Sequence, residues 1–356
     1  MPMKRILGAG PAGLAAAINL AKAGENAEVH ESRPDVGMRF APNLQGLKYV
    51  GQPEPFMQSL NLAPKTEYKY FKKVFFGTRN KDIELDISKS KIAFVERGGK
   101  RSLEYALYEE AKGEGVKFHF SSKMGESEAD VIATGGKCCE FAAIGGIYED
   151  TDFPRDSYAA VFDDRYSPFG WYSYIFPVSS DRIEFVNCVS QPHVPKLAAL
   201  YEKAISERKV LRDFLSGKKK VGSFGGSGSA RIPKSAFVNG KYYVGEAAGF
   251  QDPFMGFGIA YALRSGKLAA DAMMGKGDYD AAWKREILPH MRKDFARRFV
   301  MSVMGDRAVD TVMGKYKNGD VADISYAAPE RFPLYGAVER GFYHLECAKK
   351  AMTGYW

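Results

Sequence analysis

Residues 4–31, KRILGAGPAGLAAAINLAKAGENAEVHE, decide the fold. Lys4 to Leu7 reads as a strand, Gly8, Gly10 and Gly13 form G-x-G-x-x-G, Ala12 to Ala23 reads as a helix, and Glu28 to His30 reads as a second strand. Each glycine answers a separate demand: a tight turn, room for a pyrophosphate to approach the backbone, and close packing of helix on strand. The helix N-terminus turns free N–H groups and a partial positive charge toward phosphates. Alanine, leucine and isoleucine let the helix bury against a sheet, and Gly24 ends it. Glu31 then stands where a carboxylate accepts bonds from an adenosine ribose, with Ser32 beside it. An acid there disfavours a 2′-phosphate, so the nucleotide is FAD or NAD.

The rest of the composition sets bounds. A chain of 356 residues with 45% apolar content supports two domains, or one large domain with an inserted lobe. No stretch approaches the roughly 20 apolar residues of a membrane span, and the first strand begins almost at Met1. A cytoplasmic protein is expected. Cys138, Cys139, Cys188 and Cys347 lack C-x-x-C spacing and read as reduced, mostly buried thiols. Five histidines form no ligand motif, so no metal is expected. The net charge of +8 is densest over Trp283 to Phe299, which reads first as a solvated helix face. The functional alternative is a patch for an anionic lipid surface, a phosphorylated substrate or an acidic electron donor. No nucleic-acid module accompanies the charge, which argues against that partner.

Beyond Ser32, the proline-punctuated stretch Arg33 to Pro64 reads as loop wrapped over the cofactor. Strands are expected over 68–76, 82–87, 92–95 and 116–120, and a helix over 102–112. ADVIATGG, residues 129–136, is a strand closing on a Thr-Gly-Gly turn that includes Gly135. Residues 150–220 are richer in aromatics and β-formers and read as an antiparallel sheet, followed by helices over 194–216. The expected division is a discontinuous cofactor domain (1–150 and 221–275), a substrate lobe (151–220 with part of 65–95) and a helical C-terminal region (276–356). Within that last region helices are expected over 279–290, 294–304 and 338–352. Phe295, Phe299 and Val300 beside the basic run suggest peripheral contact with a membrane surface.

KYYVGEAAGFQDPFMGFGIAYALRSGKLAAD, residues 241–271, carries the second motif. A strand over 242–244 leads through Gly245 and Glu246 to a loop, Pro253 to Gly258, that opens a helix over Ile259 to Met273. The segment resembles the G-D-A-A-G-x-x-x-P-x-x-G-x-G-I element of FAD enzymes with the para-hydroxybenzoate hydroxylase fold, with Glu246 in place of the aspartate. The resemblance implies that Glu246 meets the ribityl chain and that Gly256, Phe257 and Gly258 face the flavin pyrimidine edge. It also implies the fold class: α/β, α+β overall, with a Rossmann-like FAD-binding domain on a parallel sheet, an inserted antiparallel-sheet lobe and C-terminal helices.

Within that fold the chain resembles the geranylgeranyl reductase family. That family carries Y-x-W-x-F-P along the substrate cavity; here Tyr172, Tyr174, Phe176 and Pro177 stand in WYSYIFP, tyrosine replacing tryptophan. Ser229 to Pro233 matches a G-x-I-P-type element. The family often has a cysteine in the loop after the first acid. Here that loop reads VGMRFAPNLQGL, so either another group serves or the reaction differs, with Arg39 assigned as a flavin contact. The flavin arginine near the third helix is Arg97, Lys100 or Arg101, among which spacing does not choose; Arg97 is carried forward.

Flavin N5 passes hydride to a carbon–carbon double bond when the protein supplies orientation, dryness and a proton. Strand alternation puts Tyr172, Tyr174 and Phe176 on one face, suited to an isoprenoid or other long apolar chain, and Trp171 on the other. Trp171 and Pro177 complete the expected substrate-binding set. No histidine or carboxylate stands out as the acid, leaving Tyr172 and Tyr174 as candidates. The leading expectation is therefore an FAD-dependent reductase, supplied by NAD(P)H or a reduced ferredoxin-type donor. The alternatives are a class A FAD monooxygenase hydroxylating an aromatic ring with NAD(P)H and oxygen, a non-redox cyclase or isomerase, and a flavin- or lipid-binding sensor.

Overall fold

A computed structural model describes residues 2–39, 42–48, 52–89, 92–149 and 152–313. The expected helix over 338–352 and Cys347 lie outside the described residues.

The opening stretch folds as its pattern predicts. Strand Lys4–Leu7, helix Pro11–Lys22 and strand Ala27–His30 form the first unit, with Pro11 at the helix start, where its missing N–H costs nothing. The two strands pair in parallel and are flanked by Val131–Ile132 and Lys117–His119, also parallel. The six-stranded sheet is completed by Lys241–Tyr243 and Phe237–Val238, the latter antiparallel. Helix Ile259–Met273 lies across the first helix so closely that a Cβ on Gly266 would stand 2.1 Å from the Ala12 carbonyl oxygen. This contact brings the second motif beside the first.

A seven-stranded sheet forms the second layer, in the order 220–228, 141–149, 182–190, 173–177, 157–162, 73–78, 82–86. All neighbours are antiparallel except 157–162 with 73–78, which run parallel. Besides Lys73–Thr78 and Asp82–Asp86, which the expected lobe includes, the sheet takes Phe141–Glu149 and all but the first residue of Lys220–Gly228 from outside the 151–220 segment. Residues that alternate in and out across one continuous surface recruit both flanks of that segment, so the boundary between the sheet and the dinucleotide domain is not a cut in sequence.

The stretch 33–64 is not all loop. It holds strand Asn43–Leu47, paired with Ala93–Arg97, and helix Pro53–Ser59 with proline at its first turn. Proline density masked both, because Pro53 starts a helix as readily as it ends one. Helix Leu103–Gly113 is capped by the Ser102 hydroxyl, which accepts from the Tyr105 amide at 3.2 Å. Beyond the second motif, helices Tyr279–Glu286, Leu288–Met304 and Asp306–Met313 follow.

The basic run of 283–299 is not simply a solvated face. Arg297 is buried and pairs with Asp294 at 2.9 Å. Arg298 lies over the Trp171 ring, 4.8 Å from its centroid, and donates to the Phe254 carbonyl oxygen at 3.2 Å and to that of Phe169. Of the three apolar residues expected at a membrane surface, Val300 is buried and Phe295 packs against the core; Phe299 is exposed. Among the described residues no helix is long and apolar enough to cross a membrane.

Candidate active site

One cavity of about 620 Å³ runs from the glycine turn between the two sheets. Gly8, Gly10, Ala12, Glu31, Ser32, Arg39, Arg97, Gly135, Gly245, Glu246, Gly256, Phe257, Gly258 and Ile259 line one part of it. Trp171, Tyr172, Tyr174 and Phe176 line the other. Three assigned residues do not line it: Gly13, Pro253 and Pro177.

The opening turn shows why. Gly8 sits at φ +108°, and a Cβ there would lie 2.4 Å from the Ala133 carbonyl oxygen. A Cβ on Gly13 would lie 2.0 Å from the Gly8 carbonyl oxygen, so Gly13 serves helix–strand packing and not the ligand directly. Gly10 is different: a Cβ there meets no protein atom within 4 Å and projects into open space at the cavity edge. That emptiness is what a cradle for a pyrophosphate requires. Glu31 is fixed beside this turn, accepting from the Ala9 amide at 2.9 Å and from the Arg33 amide at 2.9 Å.

The second motif closes the cradle. Ser265, on helix Ile259–Met273, accepts the Gly245 amide at 2.8 Å. Glu246 reaches across Gly136, where a Cβ would lie 2.5 Å from its carboxylate, accepts from the Ser229 amide at 3.1 Å and lies 3.6 Å from Arg39. The longer carboxylate thus bridges the 129–136 turn, the Gly-Ser-Gly run and the 33–39 loop. Phe257 packs over Gly46, where a Cβ would lie 2.8 Å from its ring. Pro253, at the start of this loop, is buried and does not line the cavity.

Among the three basic candidates near the third helix, Arg97 is the one in the cavity wall. It is buried and donates to Glu104 and Gln45, each at 2.5 Å. Lys100 pairs outward with Asp35 and Arg101 with Glu96, both largely exposed.

Beneath the loop 251–257 lies a buried ion network. The Lys48 ammonium donates to Asp252 at 2.7 Å and to Asp294 at 2.8 Å, all three essentially inaccessible. Tyr261 adds a hydrogen bond to Asp294 at 3.1 Å. Burial and the neighbouring Asp294 charge push the Asp252 carboxyl up to about 6. Asp252 also accepts the Phe254 amide at 2.7 Å, so the network fixes the loop that carries Gly256 and Phe257.

In the apolar half, strand Ser173–Pro177 presents Tyr174 and Phe176 to the cavity, while Ile175 packs into the opposite core. Trp171 lies on the cavity side, contrary to strict alternation, because the strand begins only at Ser173 and the preceding turn at Phe169 and Gly170 has positive φ. Pro177 ends the strand, and its carbonyl oxygen accepts from Lys69 at 2.7 Å, away from the cavity. The two candidate tyrosines separate clearly. Tyr172 donates to the Met255 carbonyl oxygen at 2.7 Å and so braces the glycine loop. Tyr174 has no hydrogen-bond partner among the described residues and opens on the cavity.

Sequence reasoning missed the neighbouring strand Arg182–Ser190 as a source of site groups. Val186 and Cys188 line the cavity, and Glu184, on the same strand face, is fully buried. An acid inside the apolar run IEFVNCV was the available signal. Burial pushes the Glu184 carboxyl well above its ordinary range, which favours its protonated form, and the Cys188 thiol up to about 12, so the thiol is neutral at pH 7. Cys188 is buried, but Cys138 is half-buried and Cys139 exposed, so the three described thiols are not mostly hidden.

A glycine-turn cradle, a second glycine loop at a helix start, and a cavity shared with an inserted sheet together define the class: the FAD-dependent oxidoreductase fold, on a Rossmann-like domain. The NAD(P)-binding Rossmann-like domain family matches residues 6–49. Digeranylgeranylglycerophospholipid reductase 2 of Methanothermobacter thermautotrophicus is 24% identical over 229 residues, covering 60% of this chain and 55% of the relative. The chain thus matches about half the length of that curated relative. A geranylgeranyl bacteriochlorophyll reductase-like protein from Thermoplasma acidophilum superposes with TM-score 0.73 at 18% identity, over 97% of this chain and 100% of the other. A flavoprotein/dehydrogenase from Cytophaga hutchinsonii gives TM-score 0.65 at 14% identity over 98% and 100%. A flavin-dependent brominase gives 0.64 at 16% over 98% and 100%. The chain is related to the geranylgeranyl reductases, and its fold is shared with halogenating flavoenzymes.

Proposed function

We propose that the protein is an FAD-dependent reductase that saturates carbon–carbon double bonds of an isoprenoid or similarly long apolar substrate. The observation that carries this reading is the continuity of one cavity, with a dinucleotide cradle at one end and an aromatic wall at the other. The residues fit the cofactor: the free space at Gly10 would accept the pyrophosphate, Glu31 would hold the ribose, Arg97 and Glu246 would contact the middle of the molecule, and Gly256 to Gly258 would hold the ring edge. When bound, reduced flavin supplies a hydride. The chain's own part is to hold the substrate, exclude water and provide a proton.

Trp171, Tyr172, Tyr174, Phe176, Val186 and Phe224 remove apolar surface from water at about 25 cal/mol per Å², a driving force that suits a hydrocarbon chain and supplies little grip on a polar ring. Electrons come from NAD(P)H or a ferredoxin-type donor in this reading. The test is anaerobic: reduced holoprotein is mixed with a geranylgeranyl lipid, and flavin reoxidation and lipid mass are followed. Reoxidation without oxygen, with hydrogens gained in pairs on the lipid, supports reduction. Reoxidation only when oxygen is admitted assigns the protein to oxygen chemistry instead.

A further inference from the structure

Saturating an isolated double bond needs a proton on the carbon that does not receive hydride. The donor must sit in the dry half of the cavity, hold a proton at neutral pH and have that proton uncommitted. The described cavity wall offers three phenol or thiol groups. Tyr172 is committed to the Met255 carbonyl oxygen. Cys188 is a neutral thiol held at its strand register by its amide bond to the Tyr172 carbonyl oxygen at 3.1 Å. Tyr174 alone of the two tyrosines has a free hydroxyl.

Strand register brings a proton store to Tyr174. Tyr174 stands opposite Val186 and Phe176 opposite Glu184, so Tyr174 and Glu184 are diagonal neighbours on one face of an antiparallel pair. Diagonal Cβ atoms lie about 7–8 Å apart, within reach of long side chains. Glu184 is fully buried and accepts from the Leu44 amide at 3.2 Å; among the described residues it makes no ion pair within salt-bridge distance. The groups that act on it electrostatically are Lys69, itself half-buried and bonded to the Pro177 carbonyl oxygen, and Tyr174. A carboxyl so placed holds its proton more tightly than an exposed one.

We propose that Tyr174 is the proton donor of the cavity and that Glu184 is the positioning residue that restores its proton. This rests on the reductase reading. Reduced flavin held in the cradle would supply the hydride, with its electron pair, to one alkene carbon. The other takes the Tyr174 phenolic proton, so one O–H bond breaks as one C–H bond forms. The phenolate left behind takes the Glu184 proton through a bridging water, since the two side chains share no direct hydrogen bond, and the Glu184 carboxylate recovers a proton from solvent by the same relay between turnovers. The aromatic stripe thereby acquires a second task besides packing the substrate.

Two readouts test the pair. In the flavin-free protein at pH 7, the infrared carboxylic-acid C=O stretch of Glu184 is expected in the wild type and absent from Glu184→Gln. Should that variant fail to fold, the same band is followed in the wild type as pH is raised to 9. Absence of the band overturns the role of Glu184, whatever the protein's substrate. In anaerobic single turnover with a geranylgeranyl lipid, Tyr174→Phe is expected to lower the rate of flavin reoxidation by about 100-fold. Flavin content and lipid affinity stay near wild type, and the solvent deuterium isotope effect of the wild type is lost. Tyr174→Phe turning over at the wild-type rate overturns the proposal. A wild-type protein that no lipid reoxidises sinks the reductase reading, and the proton step with it, while the infrared result stands on its own.

Discussion

Substituting Gly10 and Gly13 separately should split cofactor binding from folding, although the two glycines lie three residues apart. Gly10 has φ −79°, a value any residue adopts, and a Cβ there meets no protein atom within 4 Å. Gly10→Val should therefore leave the stability of the flavin-free protein within about 0.5 kcal/mol of wild type. Its branched side chain, however, projects into the space assigned to the pyrophosphate. Displacing that group from two backbone N–H donors forfeits charge-assisted hydrogen bonds worth about 1.5–3 kcal/mol each. The loss of about 3–6 kcal/mol lowers FAD affinity by about 10² to 10⁴. Gly13→Ala, in contrast, forces a Cβ to 2.0 Å from the Gly8 carbonyl oxygen, a backbone clash that must separate helix from strand and destabilise even the flavin-free fold. The assay is thermal melting of flavin-free protein, paired with the flavin-to-protein absorbance ratio after reconstitution. A Gly10→Val protein that retains a full complement of flavin, or that melts as early as Gly13→Ala, refutes the reasoning.

Lys48→Met leaves Asp252 and Asp294 facing each other in the interior and should cost about 3–5 kcal/mol in urea denaturation at pH 8. The cost should shrink at pH 5, since Asp252 already titrates near 6 and can discharge by taking a proton; an equal cost at both pH values would contradict this. Glu184 is raised above its ordinary 4.5 by burial, so its folded form binds a proton that the unfolded chain releases. The stability this gives is complete below pH 4.5 and is lost as pH rises through the folded-state value. Wild type should therefore lose stability relative to Glu184→Gln between pH 5 and pH 9, as measured by denaturation midpoints; a constant difference would rule this out. Tyr172→Phe removes the bond to the Met255 carbonyl oxygen and should cost about 1 kcal/mol, seen in chemical denaturation. No change there would mean that the loop is held without it.

Local patterns were the legible part of this chain. The first strand–helix–strand unit and helix Ile259–Met273 emerge from spacing and glycine signals because their causes lie within a few residues. The strand Asn43–Leu47 was obscured because its partner, Ala93–Arg97, is fifty residues away and its own composition is that of a loop. Arg297 and Arg298 were read as surface charge because their partners, Asp294 in an ion network with Lys48 and the Trp171 ring, are assembled only by the tertiary fold. Trp171 fell on the wrong face because alternation was extended past the first residue of its strand. Glu184 went unremarked because a lone acid in an apolar run signals burial, and only the register shows that it lies on the strand face shared with Tyr174 and Phe176.

The most direct test of the account is a titration of oxidised, flavin-loaded protein with geranylgeraniol, read in the flavin absorption spectrum. If the cradle and the aromatic wall belong to one cavity, the lipid displaces water next to the flavin ring and produces a saturable spectral shift at one lipid per protein. Saturable binding with no change in the flavin spectrum would place the lipid elsewhere and contradict the shared cavity.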